Sequence, residues 1–436
     1  MPPDSTSGLA HESTVEGERH YLTAVAEVGD TRKVAVAQSI YAANGAKLLD
    51  AGATVSSRTL ERLIGHRLAT PIENNLATEG SLTATDVVAR TRELALSYPL
   101  LERFVASQGK EEKIWNRLAQ APLPPSILFR LTVAREKFAG LFEHSLRAAL
   151  VALFLGNAAR LSDRDLELLA TAALMHDFGM LHADPARFEA ERPLDAAARR
   201  QLRAHPLTAM LIAQREPQLS PAIATAILQH HERLDGTGYP TGAPADQITR
   251  LARILMLVEI VLAMVEHRPQ PELQLSLILR ANHRGFDREL AGLLLAALPR
   301  TQAEGESAAG NIAALRKLAE LLSEWGEIKT GGAPGIQRDA RTLIDERMAR
   351  LRRFLADAGV DPIPDSDQSA ALPDDAAGIA ELNGVLSEAL WHLRQISYDA
   401  TIRWPQLAAS EDATADAALH AWLRKAGDSA GSASAE

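Results

Sequence analysis

The sequence predicts a mainly α protein, a helical bundle preceded by a small α+β module and followed by a helical extension. Three observations carry that prediction. Apolar residues recur at helical spacing through HSLRAALVALFLG, LELLATAALMHDFG, SPAIATAILQHH and RLARILMLVEIVLAM, runs dense enough in Leu, Ala and Met to describe helices buried on most faces. Strand-like alternation stands out in KVAVAQSIYAANGAKLLDAGATVS, where Asn44-Gly45 marks a hairpin turn between two short strands. Beyond residue 300 the composition shifts to polar, glycine- and proline-bearing segments that separate amphipathic stretches.

Taken in order, residues 1–20 are polar and read as a disordered start. Residues 21–105 make the α+β module with its trailing helices, and Ser56 and Ser57 offer a cap for the helix RTLERLIGHRL. His66 shares that helix with Arg62 and Arg67, which describes a solvated polar face. From Asp86 to about Glu136 the pattern is helical, and Pro122, Pro124 and Pro125 bend the chain into an all-α domain over residues 125–300. A helical extension covers 301–425 and a polar tail, 426–436, reads as disordered. In the extension TQAEGESAAG and TGGAPG are linkers around NIAALRKLAELLSEWGEI, and VDPIPDSDQSAALPDD separates two further helices. The first of those carries Ile344, Met348, Leu351, Leu355 and Ala358 in steps of four and three. That stripe fits an amphipathic helix packed on its own domain; the alternative is a seam for a homodimer or a signalling partner.

Composition bounds the function. The chain has 436 residues, room for two or three domains, and 46% hydrophobic residues, enough for a large core. A formal net charge of −10 with both signs dispersed argues against nucleic acid or an anionic membrane as the main partner. The absence of cysteine excludes disulfides and thiolate chemistry and suits a reducing compartment. The start lacks the basic end and apolar core of a signal peptide, and ILMLVEIVLAMV is too short to span a bilayer and contains Glu259. The expectation is a cytoplasmic protein with no membrane segment.

The chemistry lies in a recurrent set of polar residues. His144 begins one apolar run, His176-Asp177 ends the next, His205 precedes Pro206 at the start of PLTAMLIAQ, and His230-His231 end a fourth before the loop Asp235-Gly236-Thr237-Gly238-Tyr239-Pro240. A lone His-Asp pair is more often a cap or a buried hydrogen-bonded pair. Four such elements on four helices of one bundle are better explained by a shared cavity. A buried carboxylate or imidazole is costly unless hydrogen-bonded, paired or bound to metal, and this mixture of donors suits divalent ions. Gly236 and Gly238 relax the loop backbone, and Tyr239 offers an aromatic face with a hydroxyl.

In this order, the residues His144, His176-Asp177, His205, His230-His231-Glu232 and the Asp-Gly-Thr-Gly-Tyr-Pro loop resemble the HD-GYP family of HD-superfamily phosphohydrolases. The resemblance covers roughly residues 125–300, RGFDRELAGLLLAAL matching that family's closing helix. It implies an all-helical, metal-dependent phosphodiesterase that hydrolyses cyclic di-GMP to the linear dinucleotide or GMP. It further implies two divalent ions, iron or manganese, bridged by Asp177, with His144, His176 and Glu259 on one and His205, His230 and His231 on the other. Such a pair, about 3.5 to 4 Å apart, holds a hydroxide in line with phosphorus. His176 and Asp177 are then the catalytic pair, and Gly238, Tyr239 and Arg268 the substrate contacts.

The chain also departs from the family. Met180 stands where a lysine usually faces phosphate, and Glu259 replaces a metal-binding Asp. Leu262, Val265, Gln270 and Pro271 replace polar positions of a later motif in which Arg268 is kept, and Gly140 stands where some members carry a Glu for a third metal. Two function classes follow: a cyclic dinucleotide phosphodiesterase of reduced activity, or a non-catalytic signalling module that binds the dinucleotide or a protein partner without turnover.

Overall fold

The computed structural model describes residues 6–78, 80–107, 109, 111–188, 196–267, 271–281, 285–298, 308–328, 336–360, 376–404, 407 and 417–428. Two units divide the chain, Met1–Arg268 with Arg284–Ala297, and Pro269–His283 with Leu298–Glu436.

The first unit begins with helix α1 (Thr6–Thr31), where the sequence predicted disorder over the first twenty residues. Tyr21, Leu22, Val25 and Val28 are buried and anchor its C-terminal half. From an anchored turn a helix extends at one hydrogen bond per residue, and no proline follows Pro3 to stop it. Strands β1 (Val34–Val36), β2 (Ile40–Tyr41) and β3 (Lys47–Leu49) come next. β2 and β3 form the hairpin across Asn44-Gly45, Ile40 opposite Leu49, with Gly45 at φ +86°. Helix α2 (Ser57–Ile64) is capped at Ser56, whose N–H donates to Thr59 Oγ1 at 2.9 Å. It stops short of His66, which is exposed. A 3₁₀ turn, Ile72–Asn75, then leads into β4 (Leu76–Thr78), which pairs antiparallel with β1, Val34 opposite Thr78.

Helices α3 (Ala84–Ala95), α4 (Pro99–Ser107), α5 (Glu111–Gln120) and α6 (Pro125–Lys137) follow. The module and the bundle are stitched together by buried polar contacts. Leu82 N–H donates to Thr132 Oγ1 at 2.9 Å, and Glu73 pairs with Arg130, whose guanidinium lies 4.4 Å from the Tyr21 ring centroid. Removing one partner of such a pair strands a buried charge, which costs about 3–5 kcal/mol.

The bundle consists of α7 (Ala139–Ala158), α8 (Asp163–Met175), α9 (Ala196–Gln214), α10 (Pro221–Gln229) and α11 (Arg250–His267). Among the described residues α7 is long and apolar enough to cross a membrane, but 72% of that window is buried inside the fold. It is the core helix of the bundle, packed on α8 and α11.

The second unit is helical and includes α12 (Pro271–Ala281), which the sequence assigned to the preceding domain. Leu275 and Leu279 are buried, and α12 packs on α15 (Ile336–Asp357) and α16 (Ala376–Arg403). Helix α13 (Arg288–Ala297) returns to the first unit, and α14 (Ala308–Ile328) and α17 (Ala417–Gly427) complete the second. The Trp325 and Trp422 rings lie 5.0 Å apart in its core. Ile344, Met348, Leu351 and Leu355 are buried in the same core, while Ala358 is exposed. The helical stripe is therefore taken up by its own unit, which removes it as a homodimer seam. The linkers expected over TQAEGESAAG, TGGAPG and VDPIPDSDQSAALPDD fall mostly outside the described residues, as does most of the tail.

Candidate metal centre

The last carbonyls of an α-helix have no intrahelical N–H to accept from, and the histidines exploit this. At the end of α8, His176 Nδ1 donates to the Ala173 carbonyl at 2.7 Å; at the end of α10, His230 Nδ1 donates to that of Ile227 at 2.5 Å. His205 lies inside α9, a correction to the helix start predicted at Pro206. Proline lacks the N–H that would bond the carbonyl four residues back, and here that carbonyl, Leu202, accepts instead from His205 Nδ1 at 2.5 Å. A side chain takes the bond the proline gave up. In each case Nδ1–H is spent on the backbone, which fixes the tautomer and turns Nε2 toward the cavity.

His144 is held differently. Helix α7 starts at Ala139, five residues before the predicted start, so His144 sits in its second turn. Its Nδ1 lies 3.2 Å from Glu266 Oε1, and Arg147 Nη2 holds that same oxygen at 2.8 Å.

The inward nitrogens meet two carboxylates. Asp177 Oδ2 is 3.7 Å from His144 Nε2 and 3.6 Å from His176 Nε2, while its Oδ1 is 3.0 Å from His205 Nε2 and 3.7 Å from His230 Nε2. Glu259 spans the cavity likewise, Oε1 3.0 Å from His176 Nε2 and Oε2 4.0 Å from His231 Nε2. Two sets result, His144, His176 and Glu259 in one and Asp177, His205, His230 and His231 in the other, the ligand atoms of each within 4.8 Å of one another. The residues fit divalent ions on a direct observation: Asp177 Oδ1 is buried, yet no hydrogen bond of normal geometry reaches it. His205 and His230 also bring their Nε2 atoms within 3.1 Å, an approach that a shared cation would reward.

The electrostatics agree with a ligand set. Burial alone would raise the Asp177 carboxyl, but His176 and His205 outweigh it and hold it well below the usual carboxylate range. Glu259 is held well below its usual range in the same way, His176 and His144 overcoming burial. Burial lowers His144 and His176, and neighbouring carboxylates more than reverse this, so both are raised. Burial and the other imidazoles drive His230 far down, and burial pushes His231 down to about 4 against the pull of Glu259. Those two are neutral at pH 7, the form that binds metal.

Two glycines permit the local approach. A Cβ on Gly179 would sit 2.2 Å from the His205 carbonyl oxygen, so only glycine lets the 3₁₀ turn Phe178–His182 close onto α9 beside Asp177. Gly236 adopts φ +74°, as expected of a flexible loop. Gly238 is needed for contact instead, since a Cβ there would meet the Arg233 nitrogen at 2.4 Å. Glu232 clamps the loop, accepting from Thr241 N–H at 2.8 Å, Thr241 Oγ1 at 2.7 Å and Ala243 N–H at 3.0 Å. Tyr239 stacks on His231 with ring centroids 4.7 Å apart.

Met180 lies in the same 3₁₀ turn, its N–H donating to the Asp177 carbonyl at 2.8 Å. Leu262 and Val265 are buried apolar residues of α11, and Arg268 and Gln270 lie outside the described residues. Glu266 escaped the sequence reading. Its signal was there: a second carboxylate seven residues after Glu259, hence on the same face of an apolar helix.

A family model described as "HD domain" matches residues 132–290. The 3′3′-cGAMP-specific phosphodiesterase 3 of Vibrio cholerae is 37% identical over 128 residues, 29% of this chain and 27% of that protein. This segment is an HD domain. Two further relatives match part of the chain: a cyclic di-GMP phosphodiesterase of Pseudomonas aeruginosa, 27% identical over 33% of this chain and 35% of its own length, and the response regulator RpfG of Xanthomonas campestris, a cyclic di-GMP phosphodiesterase, 28% identical over 42% of this chain and 46% of its own. The chain thus spans between about a quarter and under half of the length of these curated relatives. The matched segment contains both groups of residues that could hold metal, from His144 in α7 to Glu259 in α11.

Proposed function

We propose that this protein is a metal-dependent phosphodiesterase that opens a cyclic dinucleotide, cyclic di-GMP, to the linear dinucleotide or GMP. The observation that carries the reading is Asp177, one carboxylate that turns one oxygen to each of two histidine sets. The names of the aligned relatives support the substrate class. His144, His176 and Glu259 would hold one divalent ion, iron or manganese, and His205, His230 and His231 a second, with Asp177 between them. Such ions, when bound, supply a nucleophile at neutral pH and neutralise charge on the diester.

The chain's own residues do the rest. Backbone carbonyls aim three of the imidazoles, Glu266 aims a fourth, and Glu232 keeps the glycine loop against His231. Hydrolysis adds water across one P–O ester bond, the hydroxyl going to phosphorus and the proton to the departing ribose oxygen. Met180 offers no cation to the phosphate, and removing one good donor at such a site costs about 2.7–4 kcal/mol, so turnover is expected to be slow.

Full-length protein reconstituted anaerobically with iron or manganese, its metal content measured, should release linear product from cyclic di-GMP, with 3′3′-cGAMP run in parallel. Filled sites without product would leave the binding-only module as the reading.

A further inference from the structure

We infer that Arg203 and Arg233 grip the phosphate oxygens of the substrate, replacing the cation that Met180 does not supply; the inference rests on the cyclic dinucleotide reading above. Arg203 lies on α9 two residues before His205, with its guanidinium 6.0 Å from the Tyr239 ring centroid. Arg233 follows His231 by two residues, its guanidinium 5.3 Å from the Phe286 ring centroid and donating from Nη1 to the Glu232 carbonyl at 2.9 Å. Tyr239 itself stacks on His231. Arg203 and the loop that carries Arg233 and Tyr239 therefore meet at the edge of one histidine set.

What sets these arginines apart is what they lack. Arg130, Arg147 and Arg253 pair with Glu73, Glu266 and Asp287. Among the described residues, no carboxylate lies within ion-pair distance of Arg203 or Arg233. Arg233 is half-buried. A guanidinium partly stripped of water and left without a counter-ion is poised for an anion. Its planar fork suits two oxygens of one phosphate, which a thioether cannot bind.

The decisive measurement is equilibrium binding to the manganese-loaded full chain, using cyclic di-GMP and bis(p-nitrophenyl) phosphate, a diester without bases. Arg203→Gln and Arg233→Gln should each weaken both ligands about 10- to 100-fold and raise KM more than they lower kcat, with Arg233→Lys recovering part of the loss. Arg203 is exposed, so its variant reports binding without disturbing the fold. Unchanged affinity for the simple diester in both variants overturns the grip, whatever the natural substrate. Wild-type protein that binds the simple diester through these arginines but ignores cyclic di-GMP overturns the substrate class and leaves the grip standing. Binding of neither ligand by wild type overturns both.

Discussion

Replacing Gly179 with alanine tests how the site is assembled. The added Cβ would lie 2.2 Å from the His205 carbonyl oxygen and 2.7 Å from its Cα, whereas ordinary contact begins at 3.4 Å. The 3₁₀ turn must therefore retreat from α9 by about 1.2 Å, the difference between 3.4 and 2.2 Å. The obstacle is backbone, so no side-chain rotation relieves it. Asp177 stands two residues before Gly179, and its Oδ1 lies 3.0 Å from His205 Nε2. A retreat of that size carries the carboxylate away from the second histidine set, while His176, its neighbour in the chain, can follow it. Overpacking of this kind costs about 1–3 kcal/mol of stability, and a misplacement of about 1 Å costs roughly 100-fold in rate. Thermal melting, metal content by mass spectrometry and hydrolysis of cyclic di-GMP read the three consequences. A Gly179→Ala protein with full metal content and unchanged turnover would refute the claim that this close approach builds the site.

Asp177→Ala should remove at least one ion and abolish turnover, since its two oxygens face both sets; retained metal at full stoichiometry argues against the bridge. Glu266→Gln should weaken metal binding about 10- to 100-fold by releasing His144 Nδ1, measured by competition with a chelator of known affinity; an unchanged constant removes Glu266 from the site. Pro206→Ala restores an N–H that competes with His205 for the Leu202 carbonyl, so the apo protein should melt at the same or a higher temperature while its metal affinity falls. A parallel loss of both would mean the proline acts only through helix geometry. His144 and His176 are raised above the usual imidazole value, whereas His231 is pushed down to about 4. Metal must displace the protons on the first pair, so affinity should rise with pH and binding at pH 7 should release protons. Calorimetry in buffers of different ionisation enthalpy would detect this, and a buffer-independent enthalpy contradicts it.

The sequence by itself determined the helices of the bundle and most of the histidines and carboxylates that meet between them. Apolar periodicity is local, so α7, α8, α10 and α11 were legible, and buried histidines and carboxylates stand out because an apolar helix has no cheap use for them. The hairpin at Asn44-Gly45 was legible for the same reason, a turn being a property of adjacent residues. Tertiary structure decided what depends on neighbours distant in the chain. The pairing of β1 with β4 and the transfer of α12 to the second unit rest on surfaces that local pattern does not encode, and the helix over residues 6–20 continues from the buried turns at Tyr21 to Val28. Pro206 looked like a helix start because proline removes a hydrogen bond; only the fold shows His205 using the carbonyl so released. Asp177 was recognisable in the sequence as a costly carboxylate at the end of an apolar helix, but its two oxygens reach two histidine sets only because Gly179 lets the turn touch α9. Ligand identity is a matter of residue type, whereas ligand geometry is a matter of contact between segments far apart in sequence.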